Sequence, residues 1–294
     1  MGYGSYSAGD WQKLKASRGL SSSSSANQTF RNQAILDKYN ARFIDFRESF
    51  DSEDSPESTP IIIGFDVTGS MGYLAKEIAT NSLNETIMQI LEKKPVTDPH
   101  MLCAAFTNST NPLQVTQFEA DIRVVEQLLD FKLGGGNRFA YDNILWYFAA
   151  NHTKTDCFSK RGKKGILIGI GDEVCGAENN ILPQNHIYQL FGDEIKDDVS
   201  FQKALADAEK KYHVGHIVVG GNYRFEGVIS AYEGWKAAAP GRVAKLHEKN
   251  ISYLSDVIVA MIEMMNGKGR KEVLDGVEKG KRDIVRSAIE DFGI

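Results

Sequence analysis

Asp66, Thr68 and Ser70 place one carboxylate and two hydroxyl groups at alternate positions along the chain. They come directly after residues 61–65, an apolar run typical of a strand buried on both faces of a parallel sheet. Hard oxygen donors of this kind suit Mg²⁺ or Mn²⁺, whereas Zn²⁺ prefers His or Cys. The spacing therefore predicts that these three side chains bind a divalent metal ion.

Two further oxygen donors follow other predicted elements and are expected to reach the same place. Asp172 comes after the apolar residues 165–170, and Asn137 comes after three consecutive glycines just before a helical segment. Ligands of open α/β sheets bind outside the carboxyl ends of the strands, where such loops meet. Both side chains are predicted metal ligands, although Asp172 would also serve as a helix N-cap and Asn137 as an ordinary turn residue.

The charge of this predicted site indicates what it binds. The carboxylates of Asp66 and Asp172 roughly cancel the charge of a divalent ion, and hydroxyl ligands add no charge. An ion held by so few side chains keeps an open position, which is expected to prefer an acidic group from outside. We therefore expect the ion to bridge to a protein partner that offers an acidic residue, and we expect no catalysis.

The elements that must position these residues alternate between strand and helix patterns. Short apolar runs bounded by turn residues predict strands, and apolar positions spaced three and four apart predict helices. Strands are predicted at residues 61–65, 101–106, 113–118, 165–170, 214–219 and 243–246, and helices at 73–91, 122–129, 141–150, 201–212 and 253–265. This alternation predicts an α/β fold with a mostly parallel central sheet and helices on both faces.

Three regions of the chain differ in composition. Residues 1–58 are predicted to be an N-terminal extension, disordered around a run of five serines and helical from about Thr29. Residues 59–266 form the predicted α/β domain. Residues 267–294 mix charges of both signs, which predicts a broken helical tail with a solvated face.

The composition and net charge limit which partners and which cellular location are expected. A net charge of −5, from 34 basic and 39 acidic residues, gives no general attraction to nucleic acid or to an anionic membrane. We expect no signal peptide, and no run of apolar residues is long enough for a membrane span. The three cysteines have no CxxC spacing and are expected to be reduced thiols, so a cytoplasmic location is predicted.

The sequence IIIGFDVTGSMG, residues 61–72, resembles the first segment of the metal-ion-dependent adhesion site (MIDAS) of von Willebrand factor A domains. That motif is Asp-x-Ser-x-Ser, and Thr68 stands in place of its first Ser. The resemblance extends over residues 60–266. It implies a Rossmann-like sheet with one antiparallel edge strand, a metal-binding site that mediates protein–protein interaction, and Asp172 as the third-segment ligand.

The second segment of the motif departs from the family pattern. The family supplies a Thr there, whereas this chain has the sequence GGGN, in which Asn137 is the remaining donor. Glycine-rich second segments resemble those of a bacterial and phage-like intracellular subset of the family. Because intracellular members often work with AAA+ ATPases, such an ATPase is an expected partner.

Two alternative functions stay open. The pattern Asp66-x-Thr68 also resembles the strand end of haloacid-dehalogenase-like phosphohydrolases, in which the Asp is a nucleophile beside Mg²⁺. That chemistry requires a lysine and a further carboxylate four residues after a Gly-Asp pair, where this chain has Gly176. The second alternative is a structural adaptor with a vestigial metal site. His213 and His216 are not expected to bind metal together, because their spacing puts them on opposite faces of a strand.

Overall fold

The fold is described from a computed structural model, which describes residues 8–20, 29–30, 32–68, 77, 82–107, 112–132, 142–173, 175, 181–220 and 230–293. The strands within these residues are β1 (Arg47–Ser49), β2 (Thr59–Asp66), β3 (Pro99–Phe106), β4 (Gln114–Val115), β5 (Thr153–Thr155), β6 (Gly165–Gly171), β7 (Ile181–Leu182), β8 (Val199–Ser200), β9 (Tyr212–Val219) and β10 (Val243–Leu246). The α-helices are α1 (Ala8–Arg18), α2 (Leu83–Lys93), α3 (Arg123–Leu128), α4 (Asp142–Asn151), α5 (Asp156–Ser159), α6 (Gln184–Phe191), α7 (Phe201–Ala208), α8 (Ala231–Ala238), α9 (Leu254–Met265), α10 (Arg270–Asp275) and α11 (Arg282–Ala288).

A six-stranded sheet forms the centre of the protein, with the strand order β10-β9-β6-β2-β3-β4. Neighbouring strands run parallel, except that the short edge strand β4 is antiparallel to β3. Within the described part of the chain, two small sheets pair β1 with β5 and β7 with β8. The predicted α/β fold with a mostly parallel sheet is confirmed.

The central strands are buried on both faces because their sequences are apolar at successive positions. Ile61 and Ile63 of β2 enter one hydrophobic cluster, which also contains most of helix α9. Ile62 enters a second cluster on the other face, together with helices α4 and α7. Alternating side chains of one strand thus pack against helices on opposite sides of the sheet.

Two glycines in neighbouring strands let helix α4 approach the sheet closely. Gly64 of β2, Gly169 of β6 and His216 of β9 are in register across three adjacent strands. A Cβ added to Gly64 would overlap Leu145, and one added to Gly169 would lie 3.3 Å from Asp142 Oδ1. The two glycines therefore leave space for the first turns of α4 next to the sheet.

The segment after Thr29 differs from the predicted helix. Thr29 itself has helical geometry, but residues 32–46 contain two 3₁₀ turns, Asp37–Tyr39 and Ala41–Phe43, and no α-helix. The backbone around Asn40 instead pairs with Gln114 of β4, and the Asn40 side chain accepts a hydrogen bond from the backbone N–H two residues later. These bonds compete with helical hydrogen bonding, so the apolar spacing alone predicted the wrong element.

Both ends of the described chain pack on the central domain. Trp11 and Leu14 of α1 are buried in the same cluster as α9, and Arg18 forms an ion pair with Asp130 at 2.9 Å. At the other end, α10 and α11 form a broken helical tail, which buries Val285 fully. None of the helices in the described part of the chain has the length and apolar character that crossing a bilayer requires.

Candidate metal centre

Asp66 and Thr68 form a closed turn at the carboxyl end of β2. Asp66 is fully buried and Thr68 is 4% exposed. The backbone N–H of Thr68 donates to Asp66 Oδ1 at 2.7 Å, and the Thr68 hydroxyl donates to Asp66 Oδ2 at 2.8 Å. Because its proton is used in this bond, the Thr68 hydroxyl presents only lone pairs to an ion.

Asp172 and Glu173 reach the same edge of the sheet from the neighbouring strand. Strand β6 pairs with β2 in parallel and ends at Gly171, so the next residues lie beside the turn that follows β2. One carboxylate oxygen from each of Asp66, Asp172 and Glu173 lies within 4.8 Å of the other two. The structure therefore brings together the two predicted acidic ligands and adds a third carboxylate.

Asp142, the first residue of α4, contributes another buried carboxylate. Its Oδ1 lies 3.2 Å from His216 Nδ1, and the two side chains are 5% and 3% exposed. Neither Asp142 Oδ1 nor His216 Nε2 has a hydrogen-bond partner of good geometry among the described residues. Buried polar atoms without partners are rare in proteins and point to a bound ion or water.

Trp235 of α8 connects this pair to Glu173. Its ring stacks on the His216 imidazole, with centroids 3.8 Å apart and planes inclined by 12°. Its indole N–H donates to the Glu173 carbonyl oxygen at 3.1 Å. The backbone of Glu173 is thus held by a side chain that is itself 1% exposed and fixed in the core.

Burial, together with neighbouring negative charges, raises the pKa of Asp66 and of Glu173. Burial raises the pKa of Asp66 to about 8, and the negative charges of Asp142 and Asp172 contribute to this rise. The hydrogen bonds from Thr68 oppose it. Burial, followed by Asp172 and Asp142, also raises the pKa of Glu173. A cation placed among these groups would favour their ionised forms. The ionised cluster is negatively charged, as expected of a site that binds a cation.

The predicted ligands fall into two groups in the structure. Asp66, Thr68 and Asp172 lie together, as predicted from the sequence, whereas Ser70 and Asn137 lie outside the described residues. Glu173 and Asp142 are not among the ligands predicted from the sequence. Glu173 is adjacent to a predicted ligand, which is a usable signal, but nothing in the sequence around Asp142 indicates that α4 begins beside β2.

The two histidines of β9 occupy opposite faces of the sheet, as expected. His216 contacts Asp142 on the α4 side. His213 is half-buried and lines a cavity with Arg161 and Met265, and Met265 belongs to α9 on the other side. The histidines do not meet, so they form no shared metal site.

Comparisons with known proteins find similarity in structure alone. The open conformation of the pilus adhesin SpaC from Lactobacillus rhamnosus GG has a TM-score of 0.47 and 11% identity, over 71% of this chain and 30% of the adhesin chain. A second form of SpaC has a TM-score of 0.49 and 11% identity, over 71% of this chain and 31% of the adhesin chain. This chain therefore spans less than a third of the length of those adhesin chains. No family model matches the sequence, and no curated protein matches it.

Proposed function

We propose that this protein is a von Willebrand factor A-type module with a Rossmann-like fold, which binds Mg²⁺ or Mn²⁺ and uses the ion to hold a protein partner. Asp66, Thr68 and Asp172 would bind the ion, together with Ser70 and Asn137. The bound ion would supply a positive centre that attracts an acidic group of the partner. The observation that carries this proposal is the convergence of Asp66 and Asp172 oxygens within 4.8 Å at the carboxyl edge of the sheet.

The donor set fits a hard divalent cation. Carboxylate and hydroxyl oxygens are the ligands that Mg²⁺ and Mn²⁺ prefer, and no His or Cys is among the clustered ligand atoms of the described residues. Asp142 Oδ1 lies 3.2 Å from His216 Nδ1 without a hydrogen bond of good geometry, and its charge acts on Asp66 as a further buried acceptor nearby. A dehydrated, negatively charged cluster of this kind is costly without a counter-charge, and a divalent ion would offset much of that cost.

The sequence around the site favours binding of an ion over phosphoryl transfer. A phosphohydrolase with Asp66 as its nucleophile needs a further carboxylate four residues after Gly171-Asp172, where this chain has Gly176. We therefore propose a binding module without catalytic turnover.

The nature of the partner follows from the same charges. Nucleic acid and anionic membrane are poor partners for a chain with a net charge of −5. We propose a cytoplasmic protein partner with an acidic residue at its contact surface, and an AAA+ ATPase is a candidate of this kind. The partner's acidic side chain would take a position on the ion that the protein itself leaves to water.

Titration calorimetry of the full chain with MnCl₂ and MgCl₂ tests the proposal. We expect one site in the wild type, no binding in Asp66→Ala, and affinity lowered by about 10-fold or more in Thr68→Val. Asp275→Asn is the matched control, because Asp275 is exposed and forms an ion pair with Lys271. Its metal affinity should equal that of the wild type.

Three results would contradict the proposal, and the first two would each favour one alternative. Absence of metal binding by the wild type would indicate a structural adaptor with a vestigial site. Metal-dependent hydrolysis of p-nitrophenyl phosphate that is abolished by Asp66→Asn would indicate a phosphohydrolase. Metal binding by Asp66→Ala as tight as that of the wild type would show that the ion lies elsewhere.

A further inference from the structure

We infer, on the basis of the proposed function, that Glu173 is an internal competitor of the partner. Its carboxylate takes the position on the metal ion that the partner's acidic group must occupy, and Trp235 holds the Glu173 backbone beside that position. The metal site of the free protein is therefore closed to an acidic ligand until Glu173 moves away. The occupant that displaces it is a single carboxylate side chain of a protein.

The first support for this inference is the reach of Glu173. One of its carboxylate oxygens lies within 4.8 Å of oxygens of both Asp66 and Asp172. Asp66 is fully buried and cannot turn toward solvent, whereas Glu173 is half-buried. Of the three clustered carboxylates, Glu173 also has the longest side chain and the most rotatable bonds. It is therefore well suited to leave the ion while Asp66 stays.

The second support is the charge of the cluster. Asp66 and Asp172 together balance a divalent ion, and the site is then neutral. A third ionised carboxylate, that of Glu173, gives the site a net charge of about −1, with Asp142 adding further negative charge beside it. Such a site repels an acidic group. Removal of the Glu173 charge returns the ion to the state in which an external carboxylate is attracted.

The third support is the way in which Glu173 is anchored. The Trp235 indole donates to its carbonyl oxygen at 3.1 Å, and the ring is packed against His216. His216 in turn lies 3.2 Å from Asp142, so the anchor is continuous with the buried pair beneath the metal site. A backbone fixed in this way keeps the Glu173 side chain near the ion at low entropic cost.

Two binding measurements on the same variants test the inference. The first is calorimetry with MnCl₂ alone. The second is fluorescence anisotropy of a fluorescein-labelled peptide with a single Glu, at saturating Mn²⁺ for each variant, with a matched peptide in which Gln replaces that Glu. Glu173→Gln should bind Mn²⁺ about 10-fold more weakly and the Glu peptide about 10-fold more tightly, because one carboxylate ligand has been removed. Affinity for the Gln peptide should stay unchanged.

Further variants separate the role of Trp235, which anchors the Glu173 backbone, from the role of the Glu173 carboxylate, which competes with the partner. Glu173→Ala, whose side chain cannot reach the ion, should act in the same direction as Glu173→Gln. Trp235→Phe keeps the aromatic ring but removes the N–H group, so it should tighten Glu-peptide binding by a few-fold. Glu48→Gln is the control, because Glu48 is exposed on β1, and it should change neither affinity. Far-UV circular dichroism of each variant verifies that it is folded.

The possible failures of the two proposals are distinct. If the wild type binds no Mn²⁺, the proposed function and this inference both fall. The wild type could bind Mn²⁺ while Glu173→Gln and Glu173→Ala bind the Glu peptide no more tightly than the wild type does. In that case Glu173 does not compete with an external carboxylate for the ion. The inference alone is then overturned. Unchanged Mn²⁺ affinity in both variants would also overturn it, because Glu173 would not contact the ion.

Discussion

His216 Nδ1 and Asp142 Oδ1 lie 3.2 Å apart in a layer between the sheet and α4 where both side chains are almost completely buried. The contact joins β9 to the first turn of the helix that stands beside the candidate metal site. The Trp235 ring stacks on the His216 imidazole and is nearly parallel to it. Because buried polar groups are costly without partners, these two residues depend on each other.

We predict that His216→Leu lowers the free energy of unfolding by about 1–3 kcal/mol, because it leaves the Asp142 carboxylate buried without its neighbour. Urea denaturation in EDTA measures this loss. His213→Leu is the control, since it changes the same residue type on the other face of the same strand, where His213 is half-buried. A smaller loss in His216→Leu than in His213→Leu would show that the buried contact contributes nothing.

The stability of the metal-free protein should fall as the pH rises from about 4 to about 8. The pKa of Asp66 is raised to about 8 in the folded state, so the folded chain holds a proton that the unfolded chain releases above its usual pKa of 3.8. Each pKa unit corresponds to about 1.4 kcal/mol, which predicts a loss of a few kcal/mol across this range. The stabilisation from the protonated group is complete at low pH and absent above about pH 8.

Asp66→Asn should remove most of this pH dependence. Urea denaturation in EDTA at pH 5, 7 and 8.5 measures the difference between the two proteins, and the variant should be the more stable one at pH 8.5. Saturating Mn²⁺ should reverse that order, because only the wild type gains stability from binding the ion. If the free energies of unfolding of both proteins in EDTA change with pH in the same way, the raised pKa of Asp66 is contradicted.

Gly64→Ala should destabilise the protein by about 1–3 kcal/mol, because the added methyl group overlaps Leu145 of α4. The double variant Gly64→Ala/Leu145→Ala should lose less than the sum of the two single losses, since each change provides the space that the other needs. Thermal and urea denaturation measure these values. The control is Gly280→Ala, where nothing lies within 4 Å of the added Cβ. Strict additivity of the two core changes would show that α4 does not rest on Gly64.

Trp11→Ala should lower the free energy of unfolding by about 3–5 kcal/mol, because the indole is 5% exposed and packs in the core. This outcome would distinguish α1 from a flexible extension, which tolerates such a change. Lys13→Ala is the matched control, since the Lys13 side chain is 83% exposed on the same helix. Equal stability of both variants would mean that α1 does not pack on the domain in solution.

Much of the architecture can be predicted from local patterns in the sequence. The apolar runs of β2 and β6 are long enough to predict strands buried on both faces, and both strands lie at the centre of the sheet. Asp66 and Asp172 follow those runs directly, so their meeting could be predicted from the rule that parallel strands end at one edge. The helix predicted after Thr29 was wrong because Asn40 pairs with β4, which is a contact between segments distant in the chain.

The sequence by itself determined the strand–helix alternation, the ends of the central strands and therefore the pair Asp66 and Asp172, because these depend on the order and spacing of neighbouring residues. Only the tertiary structure decided that Asp142, His216 and Trp235 converge beside that pair. Each belongs to a different element, and their contacts depend on how closely α4 and α8 pack against the sheet. Glu173 acquires its place in the same way, since its backbone is held by a tryptophan that is far away in the chain. Side-chain periodicity carries no information about such packing, which is set by the space that Gly64 and Gly169 leave open.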